Sequence, residues 1–163
     1  MTNLLRRDFL KGVAAAAAAA VTMGTGMAMA DTPSAAPPLC AFSKHLQFLD
    51  YKELAKTCRE LGLDGIDLTV RQGGHVNPER VAKELPEAVA AARAEGIDVP
   101  MITTGFKSGS DPLLREVLEE AKRCGIPYFR IGYHEYKDGR GILEQIAEFT
   151  EEVRGLVQTA EAL

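Results

Sequence analysis

The stretch Leu61-Gly62-Leu63-Asp64-Gly65-Ile66-Asp67-Leu68-Thr69-Val70 decides the fold. Upstream of it, Leu54, Cys58 and Leu61 recur at helical spacing on one face, and Asp50 with Glu53 three places on forms a capping-box pattern. Gly62 follows as the stop, because glycine takes the left-handed conformation that ends a helix at no steric cost. Gly65 to Val70 then reads as a strand. The passage is therefore helix, glycine, strand.

The same unit recurs on both sides. Leu39–Ser43 reads as a first buried strand. Asn77-Pro78 opens a second helix with Val81 and Leu85 on one face. Pro86 is expected to break or kink it before it resumes through Val89 and Ala92. Gly96 stops it, and 97–104 is the next strand. Asp111-Pro112 starts a third helix with Leu114, Val117, Leu118 and Ala121 apolar; Gly125 ends it, and 128–133 is a fourth strand. A last helix carries Ile142, Ile146, Phe149, Val153, Leu156, Val157 and Ala160. Short strands alternating with amphipathic helices predict an α/β protein with a parallel sheet and right-handed crossovers, here about four β/α units.

Before this domain, residues 1–30 read as a targeting segment. Arg6-Arg7 stand in Leu5-Arg6-Arg7-Asp8-Phe9-Leu10-Lys11, an Ala-rich run follows, and Ala28-Met29-Ala30 is an A-x-A cleavage site. The pattern is that of a twin-arginine signal and predicts export to the periplasm or beyond. The apolar run falls well short of the ~20 residues a membrane span needs, so no stable span is expected. Residues 31–38, with Pro33, Pro37 and Pro38, read as a flexible lead-in, and 39–163 as the folded domain.

Composition narrows the function. The chain has 163 residues, 46% hydrophobic and 26% charged, with net charge −4. Removing Arg6, Arg7 and Lys11 with Asp8 makes the remainder more acidic still. Such a balance offers no basic footprint for nucleic acid. Cys40, Cys58 and Cys124 lie in apolar elements without metal-ligand spacing and are expected to be free thiols.

In parallel β/α folds ligands bind at the carboxyl ends of the strands. Those ends carry Lys44 and His45, then Arg71 and Gly73-Gly74-His75, then Thr103, Thr104 and Lys107, then Tyr133, His134 and Glu135. All three histidines fall on this face. The substrate-binding candidates are His45, Arg71, His75, Lys107, His134 and Glu135. Each also has a plainer reading: His45 as a loop hydrogen-bonder, His134 and Glu135 as part of a solvated turn, Arg71 and Lys107 as surface charges. The two glycines before His75 allow close backbone approach to a ligand. Arg130 within a strand calls for a carboxylate partner or a barrel-end position. A metal site from His45, His75 and Glu135 has no spacing motif behind it. Gly105–Asp111 superficially resembles a phosphate loop but lacks its spacing, and neither GxGxxG, GxSxG nor HExxH occurs.

Ser43-Lys44-His45-Leu46-Gln47, the 61–71 stretch and Gly73-Gly74-His75-Val76 together resemble exported members of the sugar phosphate isomerase/epimerase family. Those are xylose isomerase-like (β/α)8 TIM barrels. The resemblance covers 39–163, as the N-terminal half of such a barrel. It implies metal-assisted proton transfer between adjacent carbons of a sugar, with a divalent metal holding neighbouring oxygens and a carboxylate moving the proton. The family's metal ligands sit at later strands, so catalytic residues and metal ligands are not identifiable in this chain, and only substrate-side residues carry over.

A complete barrel takes about 250 residues. Three readings of the shorter length stay open: a truncated chain inactive alone, a half-barrel completed by a homodimer, and an open sheet acting as a non-catalytic sugar-binding or interaction module. A DNA-repair endonuclease of the same superfamily is a further alternative, opposed by the export signal and the acidic charge.

Overall fold

The computed structural model describes residues 37–163. The twin-arginine pattern, the Ala-rich run, the A-x-A site and most of the lead-in lie outside them.

Four parallel strands form one sheet in the order of the chain: β1 (Cys40–Phe42), β2 (Gly65–Val70), β3 (Asp98–Thr104) and β4 (Tyr128–Arg130). Between and after them lie α1 (Tyr51–Glu60), α2 (Val81–Ala94), α3 (Leu114–Arg123) and α4 (Ile142–Glu161). Sequential strand order with a helix after every strand is the architecture expected of one half of a (β/α)8 barrel.

The boundaries follow the expected signals closely. Asp50 caps α1 by accepting from the backbone N–H groups of Lys52 and Glu53, and the Glu53 carboxylate accepts from the Asp50 N–H, completing the capping box. Gly62, Gly96 and Gly125 end α1, α2 and α3 with φ of 71°, 73° and 73°. A residue with a Cβ is strained there.

Three expectations are corrected. Asn77 caps a 3-10 turn, Pro78–Arg80, and the α-helix proper begins at Val81. Pro86 does not break it: α2 runs through to Ala94 without interruption. Val81, Leu85, Ala88, Val89 and Ala92 are buried along it, and that continuous apolar stripe outweighs one missing helical hydrogen bond. The fourth strand also stops at Arg130 rather than Tyr133, because the Gly132 N–H donates to the Phe106 carbonyl at 2.7 Å, tying two loops together instead of extending the ladder.

The register separates two faces. Phe42, Asp67, Met101 and Tyr128 align across the sheet, as do Thr69, Thr103 and Arg130 one pleat further on. Aligned residues of a parallel sheet point to the same side. The opposite side carries Ile66, Leu68, Val70 and Ile102, buried against the helices in the main core. All six residues of β2 are buried, on both faces.

The face away from the helices is the concave one. The Arg130 guanidinium lies 5.2 Å from the centre of the Phe42 ring, although β2 and β3 separate the strands that bear them. A sheet curled toward this face brings side chains of its two edge strands together in this way. Tyr128, on the same face, is 67% exposed.

The last helix is only partly covered. Gln145 and Leu156 are buried, whereas Ile142 is 64% and Leu143 82% exposed. Of the apolar stripe read from the sequence, Phe149, Val153, Leu156 and Ala160 are buried or half-buried, while Ile142, Ile146 and Val157 remain exposed. Among the described residues no helix is long and apolar enough to cross a membrane.

Candidate functional site

The carboxyl ends of β2, β3 and β4 open onto a cleft of about 180 Å3 lined by Arg71, Thr103, Thr104, Lys107, Arg130, Tyr133 and Glu135, with Gly105, Ile131 and Gly132. Three of the expected residues, Arg71, Lys107 and Glu135, thus meet in one place.

The cleft is held by hydrogen bonds between strand ends. The Thr104 hydroxyl donates to the Arg130 carbonyl at 2.8 Å. Gly132 packs so closely on the Gly105 carbonyl that a Cβ there would collide with backbone. The Arg130 guanidinium donates to the Tyr133 hydroxyl at 2.6 Å and lies 5.3 Å from that ring's centre. Arg130 therefore sits at the barrel end, between two aromatic rings, rather than against a carboxylate.

Below the cleft, on the concave face, the Thr103 hydroxyl donates to the Asp67 carboxylate at 2.7 Å. Asp67 is 7% exposed. Burial raises its carboxyl pKa; the Thr103 bond and the nearby Arg130 and Arg71 charges pull the other way. Asp67 was not among the expected site residues. Its signal was an acidic residue alternating with Thr69 in an otherwise apolar strand, which places both on the face away from the helices.

The three histidines separate. His45 is exposed in the 3-10 turn Ser43–Leu46, its ring edge-on to Phe42 at 5.7 Å, and so reaches Arg130 only through that ring. His75 belongs to a buried chain of hydroxyls. Ser43 Oγ accepts from the Thr69 N–H at 2.9 Å and donates to Thr69 Oγ1 at 3.2 Å. Thr69 Oγ1 also accepts from the His75 N–H at 3.0 Å and lies 3.4 Å from His75 Nδ1. Burial lowers the His75 pKa, with the Leu46 and Leu49 carbonyls opposing the shift. Its Nε2 is buried without a hydrogen-bond partner.

The glycines before His75 serve the turn itself. Gly73 has φ of 66°, and Gly74 presses against the Arg71 and Thr69 carbonyls. Close backbone approach is needed there, but to the chain's own backbone. His134 turns away from the cleft onto α4, its Nδ1 3.0 Å from the Glu152 carboxylate and its ring 4.7 Å from that of Phe149. Gln145 was also missed: buried in α4, it accepts from the Lys137 N–H and donates to the Lys137 and Arg140 carbonyls, fixing the loop after Glu135.

All three cysteines are free, Cys58 buried and the others half-buried, and burial raises each thiol pKa, away from nucleophilic reactivity. Among the described residues no three His, Cys, Asp or Glu side chains gather to hold a metal, so no ligand for the divalent ion that a sugar isomerase barrel implies is assigned here. His45, His75 and Glu135 form no such set, the first exposed, the second enclosed by hydroxyls, the third in the cleft.

No model of a known protein family matches the chain, and no curated protein matches it. Among solved structures, a D-psicose 3-epimerase crystallised in the presence of D-fructose is similar, with a TM-score of 0.52 and 13% sequence identity over 77% of this chain and 49% of the epimerase. The chain thus spans about half the length of that protein. At such identity the likeness is one of fold: a parallel β/α array matching part of a TIM-barrel epimerase.

Proposed function

We propose that this chain carries the substrate-side half of a sugar isomerase/epimerase-like site, in a protein exported by the twin-arginine route. One observation carries the reading: hydroxyls, two guanidinium groups, an ammonium and one carboxylate, from the ends of β3 and β4 and the loops after β2, β3 and β4, converge on one cleft at the strand carboxyl ends. Clustered donors and acceptors beside aromatic rings suit a polyhydroxylated ligand. The fold likeness to a sugar epimerase supports the same direction.

Within this reading the chain's own residues bind and orient. Tyr133 offers a ring and a hydroxyl, Thr103 and Asp67 form a polar floor, and Glu135 accepts hydrogen bonds at the rim. No proton-transfer step is assigned to them. A second copy of the chain is the proposed complement that covers the concave face and completes a barrel, supported by the exposure of Tyr128 on that face.

Binding without turnover is the second reading, favoured because the residues gathered are substrate-side groups with no metal ligand set among them. Pentoses and hexoses titrated into the purified chain by saturation-transfer NMR, with and without Mn2+ or Mg2+, test both. Binding plus aldose–ketose or epimer interconversion establishes the isomerase reading. Binding without interconversion establishes the module. Absence of sugar binding overturns both.

A further inference from the structure

Three residues with hydroxyls line the cleft, Thr103, Thr104 and Tyr133, and their protons are committed unevenly. Thr103 donates to the Asp67 carboxylate at 2.7 Å, and Thr104 to the Arg130 carbonyl at 2.8 Å. A hydroxyl has one proton, so both threonines keep only lone pairs for a ligand. Tyr133 is the reverse case. Its oxygen accepts from the Arg130 guanidinium at 2.6 Å, and its own proton meets no acceptor among the described residues. Donation from a cation also polarises the phenol O–H into a stronger donor.

The state of Thr103 depends on Asp67. The two side chains share the concave face, one pleat apart on neighbouring strands. Burial raises the Asp67 pKa, while the Thr103 bond and the Arg130 and Arg71 charges favour the ionised carboxylate. An ionised carboxylate only accepts, so it holds the Thr103 proton away from the cleft. Asp67 therefore has two effects at once. It acts on the charges of both cleft arginines, and it decides which way Thr103 can hydrogen-bond.

We infer that the cleft selects its ligand by hydrogen-bond polarity: it requires a donor hydroxyl against Thr103 and an acceptor oxygen against Tyr133. The inference rests on the sugar-site reading proposed above and names what that site reads in its ligand. Thr103 and Tyr133 are the binding residues, and Asp67 is a positioning residue that acts through Thr103. A ligand group with lone pairs and no proton meets only lone pairs at Thr103. It gives up its water there without gaining a bond and is rejected.

Calorimetric titration of the 163-residue chain with D-glucose, D-fructose and their monodeoxy and monodeoxyfluoro analogues tests it. Fluorine in place of a hydroxyl keeps weak acceptor character and cannot donate. At one sugar position, the one facing Thr103, the deoxy and deoxyfluoro forms are both expected to lose about tenfold or more in affinity. At a second position, facing Tyr133, the deoxy form loses affinity and the deoxyfluoro form recovers part of it. The wild-type series needs no substitution and decides the donor requirement by itself. Thr103→Val is expected to erase the first penalty and Thr103→Ser to retain it, while Tyr133→Phe removes the difference at the second position. Asp67→Asn supplies an amide N–H that can donate to Thr103 and release its proton, so the deoxyfluoro penalty is expected to fall below the deoxy penalty. Equal penalties in that variant overturn the positioning role of Asp67. Deoxyfluoro forms that bind as tightly as the parent sugar at every position overturn the inference and leave the sugar-site reading standing, as does a penalty that survives Thr103→Val. Absence of binding by every sugar in the series overturns the sugar-site reading and the inference with it.

Discussion

Arg130 at the end of β4 rests 5.2 Å from the centre of the Phe42 ring at the end of β1, across the two strands between them. That contact ties the curvature of the sheet to the composition of the cleft, since the ring that reports the curl also orients a cation of the site. Arg130→Met keeps much of the stem packing and removes the charge. It is expected to lower stability by no more than about 1 kcal/mol, the scale of one partly exposed cation–π contact, while weakening ligand binding tenfold or more. Chemical denaturation and titration on the same preparation separate the two effects.

Asp67 and His75 give opposite pH dependences. Burial raises the Asp67 pKa above 3.8, so the folded state holds its proton more tightly than the unfolded chain. Its contribution is therefore most favourable below 3.8 and is lost as pH rises through the folded value. Asp67→Asn is expected to raise stability at pH 7 and to have little effect near pH 3. Burial lowers the His75 pKa below 6.5, so the unfolded chain takes the proton first, and stability declines as pH falls from 6.5 toward the folded value. His75→Gln should flatten that part of the profile. Urea denaturation midpoints between pH 3 and 8 for the three proteins check both signs.

Gly109 and Gly155 form a backbone-to-backbone contact between the loop before α3 and the middle of α4. A Cβ on Gly109 would run into the Gly155 backbone, whereas one on Gly155 would lie 3.3 Å from Gly109. Gly109→Ala is expected to cost about 1–3 kcal/mol by overpacking, and Gly155→Ala distinctly less. A reversed order in thermal or urea unfolding would show that the loop, not the helix, absorbs the strain.

Much of this was legible in the sequence. The glycines at 62, 96 and 125 and the Asp50–Glu53 box are local signals, each satisfied within a few residues of chain, and the structure uses them as expected. The histidines were harder. Strand-end position places a side chain near the cleft but not into it, and the final turn depends on neighbours distant in sequence: Ser43 and Thr69 draw in His75, and Phe149 and Glu152 draw off His134. Asp67 was overlooked because it sits inside a strand, where an acidic residue has meaning only once the register assigns its face.

The concave face predicts self-association. Tyr128 is 67% exposed there, paired with Met101 of β3, and on the helix side an apolar groove of about 500 Å3 runs beside β4 along Ile126, Phe129 and Leu163. The purified chain is expected to scatter light as a dimer at micromolar concentration, and Tyr128→Asp to shift it toward monomer. A wild-type monomer that unfolds cooperatively would exclude the paired half-barrel.

Export is tested at the N-terminus. Replacing Arg6 and Arg7 together by lysine is expected to hold the protein in the cytoplasm and to retain the full-length form, as read by cell fractionation and immunoblotting. Unchanged delivery to the periplasm would rule out the twin-arginine route.

The sheet tapers: β2 and β3 have six and seven residues, while β1 and β4, its two borders, have three each. Such short borders present little unsatisfied backbone for indiscriminate strand addition. Filament growth by endless templating is thereby disfavoured, and any partner that joins this molecule must be chosen by the side chains on its hollow face. Short borders on a curved sheet thus make any pairing at those borders selective.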